Sequence, residues 1–521
     1  MSAGEWFFLY GAPGSGKSTL GRALAERLDL PFFDLDALIV EQAGVDIPAI
    51  FAREGESGFR ARERQALHEL LAGDGGVAAL GGGALLEDAN RRAVEAHGAV
   101  LCLHADIETL QARMSHAAEE RPLVAGENWR ERLRSLLERR AGHYASFPLQ
   151  LDTTHLSPEQ AVEEAQRLLG VFRLRGMGTS YDVRVRFGGL DACGSLLCRR
   201  GLKDPLALVS DDRVMPHHGE RLRAALEDAG YHVVPVILPA GEEHKTLRSL
   251  ETLWSAFLQG GLERGSTVIA IGGGVIGDLA GFAAATYMRG VRWVAVPTTL
   301  LAMVDASLGG KTGADLPQGK NLIGAFHPPA LVLADPQTLE TLPEEEIRAG
   351  LAEVVKHGIL ADPELFYLCE QGWEAVLGRM GEVIRRGMAV KVGFIERDPY
   401  EKGERAALNL GHTVGHAIER ASGYRLRHGE AVAIGLVVEA QLAEQYGIAR
   451  KGLAERIAAC LQGLGLPTRI PAGLDANAFR AALQVDKKNA DGRVRFALPE
   501  DIGAYRVGVP LEVDWSAYLS G

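Results

Sequence analysis

Short apolar runs alternate with longer segments in which apolar residues recur every three or four positions. In the first 170 residues, runs such as Trp6–Tyr10, Val77–Leu80 and Ala99–Leu103 are typical of buried strands. The segments Thr19–Leu28 and Phe59–Leu71 have the period of amphipathic helices. Strands that alternate with helices usually form a parallel sheet with helices on its faces, so this pattern predicts an α/β domain.

A second alternating series begins after residue 180 and gives way to helical patterning after about Leu339, as in Gly381–Ile395 and Glu430–Tyr446. A chain of 521 residues also exceeds what one hydrophobic core usually organises. We therefore predict an α/β chain whose parts are a first α/β domain at 1–170, a Gly-rich linker at 171–180, a second α/β domain at 181–338 and a mostly α-helical domain at 339–521.

Composition narrows the classes of protein that remain. The formal net charge of -12 argues against a general nucleic-acid binder. The five cysteines are scattered and form no CxxC pair, which favours reduced thiols over a disulfide framework. No apolar stretch approaches the length of a membrane span, and the N-terminus has no basic segment before its first apolar run. We expect a cytoplasmic enzyme of small molecules, without membrane or nucleic-acid partners.

The segment Gly11–Ser18 satisfies the phosphate-loop pattern G-x-x-x-x-G-K-[ST], and it lies between a predicted strand and a predicted helix. Glycines let successive backbone N–H groups face phosphate oxygens, Lys17 suits the β- and γ-phosphates, and Ser18 suits Mg²⁺. A Gly-rich turn without a ligand is the alternative, which both flanks disfavour. The motif predicts ATP and Mg²⁺ binding by Gly14, Ser15, Gly16, Lys17, Ser18 and Thr19.

The Gly-rich loop Gly272–Asp278 follows a predicted strand and formally satisfies G-x-G-x-x-G. A common dinucleotide fingerprint also has an acidic residue about 20 positions later, whereas this chain has Val296–Thr299 there. The loop is therefore either a phosphate cradle of another kind or a packing feature. We favour the cradle, because the polar loop Gly241–Lys245 also follows a strand.

A histidine cluster predicts a metal site in the helical part. His412 and His416 are four residues apart, which places both on one helix face, and His428 and Glu353 add further ligand types. Catalytic zinc uses three protein ligands of this kind and an open position. Cationic residues in Gly-rich or apolar surroundings predict a pocket for an anionic substrate; they are Lys311, Lys320, Lys356, Lys391, Arg405, Lys487 and Lys488.

The first part resembles shikimate kinase throughout about Phe7–Pro148, on its P-loop and on Phe33–Asp36, Ile47–Phe51, Phe59-Arg60, Gly81–Gly83 and Arg121–Leu123. The resemblance implies that Asp36 holds the shikimate hydroxyls and acts as base, and that Asp34 supports Mg²⁺ through water. It further implies that Arg121 on a lid neutralises the transferring phosphoryl group. The implied shikimate-binding residues are Asp36, Arg60, Gly82, Gly83 and Arg140; Ala141–Tyr144 departs from the family pattern beside Arg140.

The rest of the chain, about Tyr181–Arg506, resembles 3-dehydroquinate synthase, on an ordered series of motifs from Gly272–Gly281 to Leu408–Glu419. The resemblance implies a Rossmann-like NAD domain followed by a helical metal domain. The implied zinc or cobalt ligands are Glu353, His412 and His428. The implied NAD-binding residues are Asp211, Glu242, Lys245, Gly273, Gly274, Asp278, Thr298, Thr299, Asp305, Lys311 and Lys320. The implied substrate-binding residues are Arg289, Lys311, Asn321, Lys356, Lys391, Arg405, Asn409, His416, Lys487 and Lys488; Lys311, Lys356, Arg405 and His416 are also expected to be catalytic.

Together the two resemblances imply two reactions of chorismate and aromatic amino acid biosynthesis. One is ATP-dependent phosphorylation of shikimate, and the other is cyclisation of 3-deoxy-arabino-heptulosonate 7-phosphate to 3-dehydroquinate with release of phosphate. NAD would take and return a hydride without net consumption. Because Arg289 in this family reaches the neighbouring subunit's site, a homodimer is expected. The alternative is a related sugar-phosphate cyclase or polyol dehydrogenase fused to a non-catalytic P-loop module.

Overall fold

The structure is a computed structural model that describes residues 5–115, 128–485 and 494–519. Three predicted site residues, Arg121, Lys487 and Lys488, lie outside the described residues. The chain divides into two compact units, Met1–Arg173 and Leu174–Gly521. Among the described residues, no helix is long and apolar enough to cross a membrane.

The strands are β1 (Glu5–Gly11), β2 (Phe32–Asp34), β3 (Gly75–Ala79), β4 (Gly98–His104), β5 (Leu149–Asp152), β6 (Val171–Leu174), β7 (Tyr181–Val185), β8 (Lys203–Asp211), β9 (Val233–Leu238), β10 (Ser266–Gly272), β11 (Arg292–Pro297), β12 (Lys311–Leu316), β13 (Gly319–Phe326), β14 (Leu331–Ala334), β15 (Arg495–Asp501) and β16 (Ala504–Pro510).

The helices of the first unit are α1 (Lys17–Leu28), α2 (Leu35–Ala43), α3 (Ile47–Leu71), α4 (Asp88–His97), α5 (Ile107–Met114), α6 (Trp129–Ala145) and α7 (Pro158–Leu169). Its five strands form a parallel sheet in the order β2-β3-β1-β4-β5. Side chains of β1 alternate between the two faces of this sheet. Trp6 and Phe8 enter one hydrophobic cluster, whereas Phe7 and Leu9 enter another. The core therefore has two layers, one on each face.

The linker predicted at 171–180 begins later than expected, because strand β6 occupies its first residues. Val171, Phe172 and Leu174 are buried, so their apolar side chains favour a packed strand over a Gly-rich connector. The glycines of the segment, Gly176 and Gly178, both have positive φ and lie after the strand.

The second unit begins with helices α8 (Gly189–Arg199), α9 (Glu220–Asp228), α10 (Leu247–Gln259) and α11 (Gly274–Thr286). Six strands that lie wholly within this unit belong to its main sheet. They are parallel and follow the order β7-β14-β11-β10-β8-β9. Two antiparallel hairpins, β12-β13 and β15-β16, lie outside it. The parallel arrangement places the loops after β8, β10 and β11 at one edge, where α/β sheets bind ligands.

The remaining helices are α12 (Glu344–Ala361), α13 (Pro363–Glu370), α14 (Trp373–Gly378), α15 (Met380–Arg397), α16 (His412–Ala421), α17 (His428–Gln445), α18 (Leu453–Gly463), α19 (Ala476–Val485) and α20 (Ser516–Leu519). Glycines allow α12, α16 and α17 to pack closely against one another. A methyl group on Gly435 of α17 would overlap the carbonyl oxygen of Gly411 before α16, and one on Gly429 would overlap that of Ala349 in α12. These contacts fix the helices that carry Glu353, His412 and His428 relative to one another.

Candidate active sites

The P-loop connects β1 to α1 in the first unit. Lys17 begins α1, and its Nζ donates to the carbonyl oxygens of Gly11 and Ala12 at 3.0 and 2.8 Å. The Ser18 hydroxyl donates to Asp34 Oδ2 at 2.6 Å. A hydroxyl beside a carboxylate at the end of β2 is a suitable oxygen ligand set for Mg²⁺.

The backbone of the loop is already in the shape of a phosphate cradle. Gly14 and Gly16 have φ of 81° and 92°, a region that favours glycine. Ser15 is buried and its hydroxyl donates to Ala12 O at 2.8 Å, so its side chain supports the loop. Thr19 lies in the first turn of α1 and is exposed. The backbone N–H groups at this helix N-terminus can therefore face an anion.

Two arginines converge on the Gly82-Gly83 segment. Gly82 O accepts hydrogen bonds from Arg140 Nη1 at 2.9 Å, from Tyr144 OH at 2.8 Å and from Tyr10 OH at 3.2 Å. A methyl group on Gly83 would lie 2.6 Å from Arg60 Nη2, so Arg60 lies directly against this backbone. The structure thus places Arg60, Arg140, Gly82 and Gly83 together, including the Arg140 whose flanking residues depart from the family pattern.

A pair of carboxylates lies against the preceding glycine, Gly81. A methyl group on Gly81 would lie 3.0 Å from Glu63 Oε1 and 3.1 Å from Asp36 Oδ1. Arg60 Nη1 donates to Glu63 Oε2 at 2.5 Å. Burial raises the pKa of Glu63, although Arg60 opposes the shift. Sequence reasoning missed Glu63; its position one helical turn after Arg60 was the available signal.

Three side chains from three helices form the candidate metal centre. Glu353 comes from α12, His412 begins α16 and His428 begins α17. One ligand atom from each lies within 4.8 Å of the others. The Nε2 atoms of His412 and His428 lie 3.3 and 3.5 Å from the same carboxylate oxygen, Glu353 Oε1. One carboxylate and two imidazoles are a donor set that catalytic zinc uses.

The second nitrogen of each imidazole is held by the protein. His412 Nδ1 lies 3.1 Å from Leu410 O, and His428 Nδ1 lies 3.4 Å from Glu419 Oε2. Burial would lower the pKa of His428, but the neighbouring carboxyl groups of Glu353 and Glu419 raise it to about 10. Partners of this kind orient metal-binding histidines. Sequence reasoning missed Glu419, which lies one turn beyond His416 on the same helix.

His416 lies beside the triad. Its ring centroid is 5.3 Å from that of His412 and 6.0 Å from that of His428. His416 is exposed, and partial desolvation together with the neighbouring His412 lowers its pKa. A second set of possible ligands is His416, Glu419 and His428. The Nε2 atoms of His412 and His428 both face Glu353, whereas Glu419 faces the other ring nitrogen of His428. Glu353, His412 and His428 are therefore the better-oriented set of ligands, and His416 remains available to a substrate.

Buried cations lie next to the triad. Lys356 is 1% exposed, follows Glu353 by one helical turn and pairs with it. Burial would raise the pKa of Glu353, but Lys356 and His412 hold it well below the usual range. Lys391 Nζ donates to Asp305 Oδ1 at 2.6 Å and to Asp305 O at 2.7 Å. Burial lowers the pKa of Lys391 to about 8, although Asp305 opposes the shift.

The loop before α16 supplies the remaining polar residues of this region. Arg405 Nη1 donates to Pro399 O at 2.6 Å. Lys311, at the start of β12, pairs with Glu401. Burial would raise the pKa of Glu401, but Lys311 and a hydrogen bond with Asn409 lower it. Glu401 was missed at the sequence level because it lies in an irregular loop, where its φ is 56°.

The Gly-rich loop borders a cavity at the carboxyl end of β10. Residues that line it include Gly273, Gly274, Asp278, Pro297, Ser307 and Lys311. Lys245 is buried, and its Nζ lies 2.5 Å from both Asp278 Oδ2 and Asn321 Oδ1. Lys245 therefore joins a predicted NAD-binding residue to a predicted substrate-binding residue.

The other predicted NAD contacts lie at the same edge of the sheet. Lys320 pairs with Glu242 at 3.2 Å. Asp211 ends β8, and its Oδ1 accepts from the N–H groups of residues 213 and 214, so it also stabilises a turn. Thr298 is buried directly after β11, and the Thr299 hydroxyl accepts from Ala302 N at 3.1 Å. Arg289 instead lies exposed in the turn after α11.

The fold and the two sites define a P-loop phosphotransferase joined to an enzyme with a dinucleotide-type loop and a metal-ligand cluster. The family model of shikimate kinase matches residues 13–169. The N-terminal and C-terminal models of 3-dehydroquinate synthase match residues 235–349 and 350–489. The chain belongs to the shikimate kinase family over its first unit and to the 3-dehydroquinate synthase family over its second, and it is a bifunctional shikimate-pathway enzyme.

Relatives of the second unit support this assignment. The 3-dehydroquinate synthase of Nostoc punctiforme is 47% identical over 335 residues, which are 63% of this chain and 92% of that protein. The corresponding enzyme of a Geobacter species is 46% identical over 333 residues, with 63% and 92% covered. The assignment predicted from sequence is confirmed, and the alternative of a related sugar-phosphate cyclase or polyol dehydrogenase fused to a non-catalytic P-loop module is not.

Solved structures share the fold of the second unit at lower identity. The 2-epi-5-epi-valiolone synthase of Streptomyces hygroscopicus, solved with NAD⁺ and Zn²⁺, has a TM-score of 0.59 and 30% identity over 64% of this chain and 94% of its own. A 2-deoxy-scyllo-inosose synthase, solved with carbaglucose-6-phosphate, NAD⁺ and Co²⁺, has a TM-score of 0.60 and 26% identity over 65% and 94%. The Rossmann-like and helical architecture predicted for this unit is confirmed.

Proposed function

We propose that the kinase reaction takes place between the P-loop and the Gly81–Gly83 segment. Lys17 and the loop N–H groups hold the phosphates of ATP, and Ser18 with Asp34 holds Mg²⁺. Arg60 and Arg140 bind the carboxylate of shikimate, for which paired guanidinium groups are well suited. Asp36, at the start of α2, accepts the proton of the attacking hydroxyl. This proposal is supported by the hydrogen bond from Ser18 to Asp34 and by the position of both arginines at Gly82-Gly83.

We further propose that the second unit uses NAD and either zinc or cobalt, as the two solved relatives do. The metal would be held by Glu353, His412 and His428, whose donor set and convergence fit the ion. NAD would lie in the cavity at the end of β10, bordered by Gly273, Gly274 and Asp278. When bound, the metal supplies Lewis-acid polarisation and NAD supplies a reversible hydride acceptor.

The protein's own groups then bind and orient the heptulosonate phosphate. Lys391, Arg405 and Asn409 supply positive charge and donors for its carboxylate and phosphate, and Lys311 and Asn321 lie nearer the Gly-rich loop. Lys356 pairs with Glu353 and stabilises negative charge on a neighbouring oxygen. His416, a neutral imidazole at the side of the triad, contacts the substrate. Elimination of phosphate needs no separate protein base if the leaving phosphate accepts the proton.

The convergence of Glu353, His412 and His428 is the observation that carries the proposal for the second unit. The test is phosphate release from 3-deoxy-arabino-heptulosonate 7-phosphate by the full-length protein, before and after removal of zinc by a zinc-selective chelator. We expect release without net NADH, loss after chelation and recovery with zinc. Shikimate phosphorylation in the same sample, with Mg²⁺ present, is the control. Full release by protein shown to be metal-free would refute the metal centre.

We also propose a homodimer in which Arg289 completes the site of the partner subunit; its exposure supports this role. Two variants, R289A and K356M, distinguish action across the dimer from action within one chain. If Arg289 acts on the partner's site, a mixture that exchanges subunits regains activity, because the heterodimer has one site with both residues. If Arg289 acts within its own chain, every site lacks one residue and the mixture stays inactive.

For the cell, we propose a cytoplasmic location, supported by five cysteines that are all free in the structure. Rapid formation of a disulfide within the folded chain under mildly oxidising conditions, detected by thiol counting, would contradict this part of the proposal.

A further inference from the structure

The helix that carries His412 has no side-chain N-cap of its own. Its N-cap residue is Gly411, at a φ of 79°. A methyl group on Gly411 would lie 2.8 Å from Leu436 Cγ, so close packing against α17 favours glycine there. The first N–H groups of a helix have no partner within the helix and need an acceptor from elsewhere.

That acceptor is Glu439, which lies in α17 and is fully buried. Its Oε2 accepts from the Gly411 N–H at 2.5 Å, and its Oε1 accepts from the Val414 N–H at 3.1 Å. Both carboxylate oxygens therefore serve the N-terminus of α16, where the helix dipole stabilises negative charge. Because α17 begins with His428, the helix of one metal-ligand residue holds the first turn of the helix of another.

We infer that Glu439 is a positioning residue of the metal centre, an inference that rests on the metal centre proposed above. His412 lies between the two backbone groups that Glu439 binds, at Gly411 and Val414. With the backbone fixed on both sides and Nδ1 directed to Leu410 O, the ring presents Nε2 to Glu353 at 3.3 Å. Loss of the carboxylate frees the first turn of α16 and therefore the direction of this ligand.

The same helix offers a matched control five residues further along. Glu444 Oε1 accepts from the N–H of Ala454 at 2.7 Å. Ala454 lies in the first turn of α18, which follows Gly452 at a φ of 89° and also has no side-chain cap of its own. Since α18 carries none of the proposed metal ligands, Glu444→Gln alters the same kind of cap without acting on the metal centre.

The test compares the full-length wild type with Glu439→Gln and Glu444→Gln. Zinc affinity is measured by competition with a chromophoric chelator, and ligand geometry by the visible absorption of the Co²⁺-loaded proteins. We expect Glu439→Gln to weaken zinc binding about 10–100-fold, the usual effect of removing a group that orients a ligand, and to change the Co²⁺ spectrum. Glu444→Gln should match the wild type in both measurements, and shikimate phosphorylation should be unchanged in all three proteins.

Wild-type zinc affinity and an unchanged Co²⁺ spectrum in folded Glu439→Gln would overturn the inference and leave Glu439 a cap for helix stability alone. If near-ultraviolet circular dichroism shows that this variant does not fold, Glu439→Asp replaces it. The shorter carboxylate keeps its charge but cannot reach both N–H groups, so folded Glu439→Asp with wild-type affinity would also overturn the inference. Failure of all three proteins to bind zinc would instead refute the metal centre itself.

Discussion

Lys391 is a buried ammonium group whose charge depends on pH within the working range of an enzyme. Its pKa is lowered to about 8, so it is charged below that pH and loses its proton as the pH rises through it. If the charge binds the substrate, kcat/KM for phosphate release should fall above pH 8, by on the order of tenfold per pH unit. The measurement is kcat/KM between about pH 6.5 and 9.5.

Lys391→Arg is the control for this pH profile, because a guanidinium group stays protonated throughout the range. Its kcat/KM should be lower but should not show the inflection near pH 8. An inflection of the same size and position in Lys391→Arg would assign the titration to another group and contradict the role given to Lys391.

Gly83 is expected to be intolerant of a side chain for a reason specific to the kinase site. A methyl group there would meet the guanidinium of Arg60 at 2.6 Å and displace it from the proposed carboxylate site. Gly83→Ala should therefore raise the KM for shikimate by tenfold or more, since about 1.4 kcal/mol of lost binding is tenfold. Gly142→Ala is the matched control, because a methyl group there meets nothing within 4 Å. Equal KM values for both variants would contradict the placement of Arg60.

The residues that sequence reasoning found are those whose spacing carries a chemical meaning. His412, His416 and the P-loop follow local patterns that need no knowledge of the fold. Glu419 and Glu439 could not be found in this way, because each acts on a group that only tertiary packing brings near. Glu439 accepts from an N–H 28 positions earlier in the chain, and no periodicity connects the two.

At the scale of elements, α16 and α17 are held together through glycines. A methyl group on Gly435 would overlap the backbone of Gly411, so Gly435→Ala must push these helices apart. Overpacking of this kind costs about 1–3 kcal/mol. We expect a lower urea midpoint for loss of phosphate release, with kinase activity lost at the same urea concentration as in the wild type.

Gly463→Ala provides the comparison for the helix packing. Gly463 ends α18, and a methyl group there meets nothing within 4 Å. Alanine also has the higher helix propensity, so the urea midpoint should stay the same or rise slightly. A Gly435→Ala protein as stable as Gly463→Ala would show that α16 and α17 can move apart without lowering the free energy of unfolding.

Strands and helices with a strong local period were predicted well, and interrupted or isolated elements were not. Trp6–Tyr10 falls within β1 and Ala99–Leu103 within β4. The segment Phe59–Leu71 covers only the second half of α3. Gly55, whose φ is 69°, interrupts the helix, so the periodic pattern was recognised only in the half that follows it. The hairpin β15-β16 was missed, since the surrounding helical pattern dominated the end of the chain.

At the scale of the whole molecule, the two sets of predicted site residues fall into different units. Every described kinase residue lies within Met1–Arg173, and every described cyclase residue lies within Leu174–Gly521. Lys17→Ala removes the ammonium group that serves the phosphates of ATP but changes nothing in the second unit. We expect it to abolish shikimate phosphorylation and to leave the rate of phosphate release from the heptulosonate phosphate unchanged.

A variant of the second unit tests the same independence in the opposite direction. Glu353→Gln weakens the metal centre and should abolish phosphate release while shikimate phosphorylation continues at the wild-type rate. Both activities are measured on the same full-length samples, with circular dichroism to show that each is folded. If either variant reduced both activities in folded protein, the units would be energetically coupled, because a substitution confined to one unit can change the other only through a shared equilibrium. Two single losses would show that the fusion joins two catalysts that work separately.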